Sequence, residues 1–212
     1  AVFGHVEYEL TDALKLIAGA RYTNEKRDWT GCTYVADDGS LGLFLNNVFG
    51  LAGSPFEVGP GDCGTINDIG GFDPSFNPYS DEIDTGRATG KVGLDWTPSD
   101  DLLVYGSISN GFKSGGFNGA NSNTTTQLIP YEEEVLTAYE LGTKATLAGG
   151  TMQFNGAVFY YDYKDKQEQD AAVTLVGNIS GLTNVDESEI YGAEIEFTWQ
   201  PTEGLTLVAN GA

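Results

Sequence analysis

Polar and apolar residues alternate along several long stretches of the chain, which is the period of a β-strand with two different faces. Between Arg87 and Trp96, small or apolar residues occupy the even positions, and mainly polar or charged residues occupy the odd ones. Between Tyr191 and Trp199 the same alternation places aromatic and aliphatic side chains opposite glutamates and threonine. No comparable helical period is evident. The pattern therefore predicts an all-β protein.

The alternating stretches predict eight strands, joined by two kinds of connection. The strands are Val2–Leu10, Leu14–Trp29, Asp84–Thr97, Leu102–Lys113, Glu133–Leu147, Thr151–Gln167, Ser188–Gln200 and Leu205–Ala212. Short turns near 11–13, 98–101, 148–150 and 201–204 alternate with long loops near 30–83, 114–131 and 168–185. This order predicts an antiparallel, up-and-down meander whose long loops all lie at one end.

Strand length separates two interpretations of this meander. Strands of soluble proteins usually have about 5–6 residues, whereas a transmembrane β-strand needs roughly 9–11. Several predicted strands are longer than that, and aromatic residues lie near their ends at Trp29, Trp96, Phe112 and Trp199. These features favour a transmembrane β-barrel with Val92 and Ile195 facing lipid and the charged face lining a wet lumen. The alternative is a soluble, secreted β-sandwich whose apolar face points inward.

Charge and composition exclude some classes of function. The 212 residues include 31 acidic and 10 basic side chains, so the net charge is −21, which argues against nucleic-acid binding. No apolar run approaches the roughly 18 residues of a membrane helix. The single histidine, His5, has no Cys or Ser partner in a recognisable arrangement. We therefore expect no enzyme activity, no catalytic residue, no metal site and no cofactor.

Two cysteines lie 31 positions apart in an acidic segment that is rich in Gly, Pro and Asn. Neither Cys32 nor Cys63 belongs to a CxxC motif, and His5 lies far away in the sequence. A disulfide that closes an exported loop is the preferred interpretation, because such bonds persist in oxidising compartments. Two reduced thiols in a cytosolic protein are the alternative.

Five segments, taken in order, resemble motifs of TonB-dependent outer-membrane receptors. They are Gly19–Arg27 (GARYTNEKR), Tyr105–Asn118 (YGSISNGFKSGGFN), Tyr131–Lys144 (YEEEVLTAYELGTK), Phe154–Gln167 (FNGAVFYYDYKDKQ) and Tyr191–Glu196 (YGAEIE). Each match is weak when taken singly, but five matches in family order are specific. In the family's segment that corresponds to 131–144 a Pro-Glu pair is usual, whereas here Tyr131 stands between Pro130 and Glu132.

The resemblance implies that 1–212 is an interior portion of a 22-stranded barrel domain. The family's N-terminal plug and its C-terminal strands are expected to be absent from this chain. The implied location is the outer membrane of a Gram-negative cell. The implied function is uptake of a scarce nutrient, such as a siderophore or other iron chelate, cobalamin or an oligosaccharide. The implied partners are that small molecule, outer-membrane lipid and TonB, which acts through the missing plug. A passive porin is a further alternative.

The polar tip after the fourth strand, with Gly115, Gly116 and Gly119, is expected to turn the chain at the outer rim. Phe112 and Phe117 are then expected at the lipid interface or on the loop surface. Aromatic loop residues are candidates for a stacking surface that receives the nutrient: Tyr34, Phe44, Phe72, Phe76 and Tyr79.

Three basic residues on the predicted lumen face, Arg21, Arg87 and Lys91, are candidates for contacting an anionic cargo or the plug. Their alternative role is structural pairing with lumen carboxylates such as Asp95 and Glu194.

Overall fold

The computed structural model describes residues 1–36, 38–51, 57–69, 76–119, 123–174 and 177–212, and side chains are omitted at 48–51 and 172–179. It contains one antiparallel sheet of eight strands in which every strand lies beside its neighbours in sequence. The strands are β1 Val2–Thr11, β2 Leu14–Gly31, β3 Tyr79–Ser99, β4 Leu102–Lys113, β5 Glu134–Leu147, β6 Met152–Thr174, β7 Gly177–Thr202 and β8 Leu205–Gly211. The predicted meander is confirmed, and the sheet is open at β1 and β8.

The strands are longer than a bilayer requires. β2, β3, β6 and β7 have 18, 21, 23 and 26 residues, against the roughly 9–11 that span the hydrocarbon. All the short turns lie at one end of the sheet, and the long loops lie at the other. The excess length of the strands therefore extends beyond the membrane on the side of the long loops. No helix among the described residues is long and apolar enough to cross a membrane.

The outer face of the sheet has three tiers. Apolar side chains such as Val92, Leu141 and Ile195 are at least half exposed, as expected for a face that contacts lipid. One aromatic tier below this band contains Trp96, Phe197 and Trp199, and a second above it contains Tyr22, Tyr139, Tyr160 and Tyr191. Charged residues follow above the second tier, so the tyrosines mark the boundary on the side of the long loops.

The prediction of a third long loop at 168–185 is wrong. β6 continues to Thr174 and β7 begins at Gly177, and the two strands pair throughout this region. The extension lies beyond the membrane, where water reaches both faces of a hairpin. Its residues therefore lack the apolar alternation from which the other strands were predicted.

The predicted first loop contains a helix that the sequence pattern did not reveal, α1, Ser40–Leu51. Val35, Leu45 and Val58 are each at most 5% exposed, so the segment has a small core of its own, and Leu128 of the loop between β4 and β5 is buried as well. The predicted disulfide between Cys32 and Cys63 is confirmed, with the two Cα atoms 5.7 Å apart. We call the described residues 32–69 the cap.

Candidate functional site

The three predicted basic residues lie close together on the inward face of β2 and β3. Arg21 pairs in register with Thr89, and Arg87 pairs with Thr23, so the two arginines are diagonal neighbours. Lys91 lies one inward position below Thr89 and pairs with Gly19. Because β2 and β3 share an unbroken register, these three side chains form one basic patch on the lumen face.

The three cations differ in their partners. Arg87 forms an ion pair with Glu133, which precedes β5. Arg21 Nε donates a hydrogen bond of 3.0 Å to the Thr23 hydroxyl, and neither Arg21 nor Lys91 lies within 4.0 Å of a described carboxylate. Arg87 therefore shows the alternative role of structural pairing, with Glu133 as the partner and not Asp95 or Glu194. Two atoms of the Arg87–Glu133 pair, Arg87 Nε and Glu133 Oε2, are buried and form no hydrogen bond with a described residue.

A second polar cluster lies above the basic patch and was not predicted. Arg27 Nη1 donates to the carbonyl of Gly115 at 2.9 Å, and Arg27 also forms an ion pair with Glu25 at 2.5 Å. The Ser114 hydroxyl donates to Glu25 at 2.7 Å. These bonds attach the glycine-rich tip to β2. Part of this face forms a cavity of 370 Å³ whose lining includes Arg21, Glu25 and Ser114.

The tip itself requires glycine for close approach. Gly116 exchanges two backbone hydrogen bonds with Tyr131, of 3.1 and 2.9 Å. A Cβ at Gly115 would lie 2.5 Å from the Tyr131 carbonyl, and a Cβ at Gly116 would overlap the Tyr131 ring. The glycines therefore let the chain after β4 pass directly against the chain before β5.

An aromatic cluster lies at the mouth of the inward face. The Trp29 and Phe117 rings are stacked, with centroids 5.0 Å apart and planes 9° apart, and Tyr79 lies 6.4 Å from Trp29. Trp29 shares the face of Arg21 and Arg27, so this aromatic residue near a strand end lies on the lumen side of the sheet. Tyr79 was predicted as a site residue, and the structure places it in this cluster.

Tyr79 also makes a polar contact at the mouth, beyond the membrane. Its hydroxyl donates to Asp81 Oδ2 at 2.6 Å. Burial and this hydrogen bond to a carboxylate raise the pKa of Tyr79 to about 12. The phenol therefore stays protonated at neutral pH and remains a fixed donor.

The other predicted aromatic residues that the structure describes lie on the cap and just before β3. Tyr34 and Phe44 lie on the cap, 61% and 46% exposed, and among the described residues no ring contact joins them to Tyr79. Phe76 is half-buried before β3 with a positive φ of 31°. Phe72 lies outside the described residues. Trp29 and Phe117, which were not among the predicted site residues, form the ring stack at the mouth.

Aromatic rings cover glycines on the lumen wall below the patch. The Tyr105 ring lies over Gly142 on β5 and its hydroxyl donates to Glu140 at 2.8 Å. Phe159 covers Gly192 in the same way: a Cβ there would lie 2.7 Å from the ring. Sequence alternation identified these strands but gave no signal for this contact between neighbouring strands.

Gln167 joins three segments at the rim. Only 7% exposed, it donates from Nε2 to the carbonyls of Ser114 and Glu132 at 2.9 and 3.0 Å. Its backbone N–H donates to Glu134 at 2.8 Å. The last residue of the YYDYKDKQ motif thus joins β6 to the end of β4 and to the start of β5.

The cap is anchored to the loop between β4 and β5. Ile66 exchanges backbone hydrogen bonds with Asn123 and Thr125, of 2.8 and 2.9 Å. Asp68 accepts a bond of 2.8 Å from the Thr126 N–H. Burial raises the pKa of Asp68, but hydrogen bonds from Thr126 and Thr124 outweigh it, so the pKa lies below its usual value. The cap is thereby fixed at the mouth.

Among the described residues, no group of three His, Cys, Asp or Glu side chains could hold a metal ion. The arrangement consists instead of a rigid wall, a basic patch, an aromatic cluster and a cap. A flat group of a solute can stack on the aromatic cluster at the mouth, and an anionic group can pair with the basic patch deeper in the lumen.

Comparison with known families gives one match over the whole chain. The family model described as "TonB dependent receptor-like, beta-barrel" matches residues 1–212. The "Pesticin receptor" of Yersinia enterocolitica is 28% identical over 137 residues, which are 64% of this chain and 19% of that protein. The chain therefore spans about a fifth of the length of this curated relative.

Solved structures show the same fold. The ferric yersiniabactin uptake receptor FyuA from Yersinia pestis superposes with a TM-score of 0.62 at 20% identity, covering 98% of this chain and 25% of that one. The siderophore receptor PiuA from Acinetobacter baumannii superposes with a TM-score of 0.57 at 17% identity, covering 98% and 24%. In both cases the eight strands correspond to one part of a larger barrel.

Proposed function

The chain belongs to the TonB-dependent receptor β-barrel family, and we propose that it forms part of the wall and mouth of a receptor that imports an iron chelate. The family consists of outer-membrane transport receptors, not enzymes. Energy would come from TonB, acting through a plug outside this segment. The relatives named above include a ferric chelate receptor and a siderophore receptor, which favours an iron chelate over cobalamin or an oligosaccharide.

The observation that carries the proposal is that one lumen face has an aromatic cluster at its mouth and a basic patch deeper in the lumen, with the Arg27 cluster between them. Trp29 and Arg21 lie on the same face of β2, and Tyr79 and Lys91 lie on the same face of β3. Organic iron chelates present flat aromatic or heterocyclic rings together with carboxylate or phenolate oxygens. Rings of that kind stack on Trp and Tyr, and the anionic oxygens suit Arg and Lys.

The basic patch divides into two roles. Arg87 is held by Glu133, so we assign it to positioning the rim. Arg21 and Lys91 have no described carboxylate partner and are the groups that would meet an anionic cargo.

The test is uptake of radioactive iron by cells that have this full-length receptor as their route for the chelate. Arg21→Gln and Lys91→Gln are expected to raise the half-saturating chelate concentration at least about tenfold together, since each removes a charge-assisted contact. Lys26→Gln is the matched control, because Lys26 lies on the outer face, paired with Glu82. Loss of uptake in a strain without TonB is expected for every variant.

Two results would contradict the proposal. Unchanged uptake by Arg21→Gln/Lys91→Gln would remove the basic patch from the cargo path. Uptake that persists without TonB would favour a passive porin over an energised receptor.

A further inference from the structure

The pairing between β3 and β4 stops partway along the sheet. The two strands pair from their short turn up to Gly90 and Asn110, whereas β3 continues upward to Tyr79. Over this upper part β3 stays paired with β2, but its other edge has no strand beside it among the described residues. We call the space between residues 80–88 of β3 and the end of β4 the slot. It lies between two consecutive strands, away from the open ends of the sheet at β1 and β8.

The slot is open because the chain after β4 turns inward. The Ser114 hydroxyl donates to Glu25 at 2.7 Å. Arg27 donates to the carbonyl of Gly115 at 2.9 Å. Both of these β2 residues lie beyond β3, so the tip crosses the inward face of β3 and does not run beside its edge. The slot is therefore covered on the lumen side and accessible from outside.

The even-numbered residues of β3 direct their backbone groups into the slot. The N–H of Gly90 donates to the Asn110 side chain at 2.8 Å, so it points towards β4. Backbone groups of successive strand residues point alternately to the two neighbouring strands. Asp84 and Gly86 therefore direct their N–H and C=O groups into the slot, where no described residue hydrogen-bonds them. A row of unpaired backbone groups is a template for a further strand.

The slot lies outside the membrane. Ala88 pairs with Tyr22, which belongs to the tier of tyrosines that marks the boundary, and residues 80–86 continue above it. The even-numbered residues of this segment are exposed. The occupant that suits this edge is a polypeptide from the aqueous side, because an extended backbone supplies the donors and acceptors of a strand at the required spacing.

The charge beside the slot is negative. Three carboxylates lie at outward positions of β2 and β3 at this level: Asp28, Glu82 and Asp84. The cation among them, Lys26, forms an ion pair with Glu82 at 2.7 Å. Asp84 accepts a hydrogen bond of 3.1 Å from Asn24 and forms no ion pair with a described residue. Opposite charges on paired strands stabilise a sheet, and like charges destabilise it. The edge therefore favours a strand with basic residues on its outward face.

We propose that this edge of β3 binds an extended, basic segment of a partner protein at the cell surface as an added β-strand. The backbone of the segment pairs with Asp84 and Gly86, and its lysine or arginine side chains lie beside Asp84. In this mode main-chain hydrogen bonds supply affinity and side chains supply specificity. The surface is separate from the proposed path of the chelate, because the slot opens outward whereas the basic patch lies on the inward face.

The experiment uses the purified full-length receptor in detergent and a short fluorescent peptide in which lysine and threonine alternate. Fluorescence anisotropy measures the dissociation constant. The peptide is expected to bind at least about fivefold more tightly than a copy methylated at its backbone nitrogens, because methylation removes the donors that pair with the edge. The same comparison with glutamate in place of lysine is expected to show still weaker binding. Bound peptide is also expected to slow hydrogen exchange in the segment 80–88.

Two variants separate the backbone from the charge. Asp84→Pro removes the carboxylate and an N–H that points into the slot, while the bonds between β2 and β3 are kept. It is expected to weaken binding at least about tenfold. Asp84→Asn removes the charge alone and is expected to weaken binding about threefold. Asp186→Asn is the matched control, since it removes an exposed carboxylate from β7, and it should bind like the wild type.

Three results would overturn the proposal. Equal affinity for the methylated peptide would show that charge alone attracts it, and this comparison needs no variant. Unchanged affinity of Asp84→Pro would place the peptide elsewhere. Slow exchange of the segment 80–88 before peptide is added would show that another part of the receptor already covers the edge. Gel mobility of unheated samples checks that the variants are folded.

Discussion

The indole ring of Trp29 lies flat against the ring of Phe117, with centroids 5.0 Å apart and planes 9° apart. The two residues are at the end of β2 and in the tip after β4, and Arg27 and Glu25 bond to the same tip. The stack therefore fixes the position of the tip above the lumen as well as presenting an aromatic surface.

Replacing Trp29 with Ala is expected to reduce uptake strongly, since both the stack and the surface for the chelate are lost. An aromatic pair contributes about 0.5–1.5 kcal/mol beyond burial, so assembly of the barrel should persist. Trp29→Phe retains a ring and is expected to keep most of the activity. Iron uptake and the gel mobility of unheated protein measure the two effects separately. Wild-type uptake by Trp29→Ala would exclude a role for the stack in transport.

The contact between Tyr105 and Gly142 predicts an assembly defect. A side chain at position 142 would overlap the Tyr105 ring, and overpacking of this kind typically costs about 1–3 kcal/mol. Gly142→Val is therefore expected to lower the urea concentration of half-unfolding in lipid vesicles. Gly106→Val is the matched control on the adjacent strand, where a Cβ meets no atom closer than 3.7 Å.

A second variant distinguishes the effect of this overlap from the general effect of replacing a strand glycine. Tyr105→Ala removes the ring and the bond to Glu140, and it should partly restore stability when combined with Gly142→Val. If Gly142→Val and Gly106→Val destabilise equally, the ring contact is not the cause.

The strands could be predicted from the sequence because lipid on one side and water on the other impose a strict alternation. That signal is strong for Arg87–Trp96 and Tyr191–Trp199. It fails for the upper parts of β6 and β7, where water reaches both faces. It also fails for α1, which packs on a small core within the cap.

The candidate site was only partly predictable. The motifs that contain Arg27, Ser114, Glu132 and Gln167 were found singly in the sequence. Their convergence depends on hydrogen bonds between residues 88, 89, 53 and 35 positions apart. Such contacts follow from the register of the paired strands and from the paths of the loops, which one sequence does not specify. The Cys32–Cys63 bond was predictable because only one pairing of two cysteines exists.

The outward orientation of Val92 and Ile195 predicts that arginine is not tolerated there. The two side chains are 56% and 50% exposed in the apolar band, and a mid-bilayer arginine on this face costs roughly 2–4 kcal/mol. Both Val92→Arg and Ile195→Arg are expected to lower the yield of folded receptor in vesicles. Thr198→Arg, on the inward face of β7, should assemble normally. Normal assembly of both outward variants would reverse the assignment of the faces.

The bond between Asp68 and the Thr126 N–H predicts that the cap loosens in acid. Because the folded pKa of Asp68 lies below its usual 3.8, this carboxylate stabilises docking above that value. The contribution is lost as the pH falls through the folded pKa. Hydrogen exchange of the Thr124–Leu128 segment, corrected for the intrinsic effect of pH, is expected to accelerate in that window. Asp68→Asn removes the titrating group and should show a smaller change. Parallel acceleration in both proteins would place the pH response in another group.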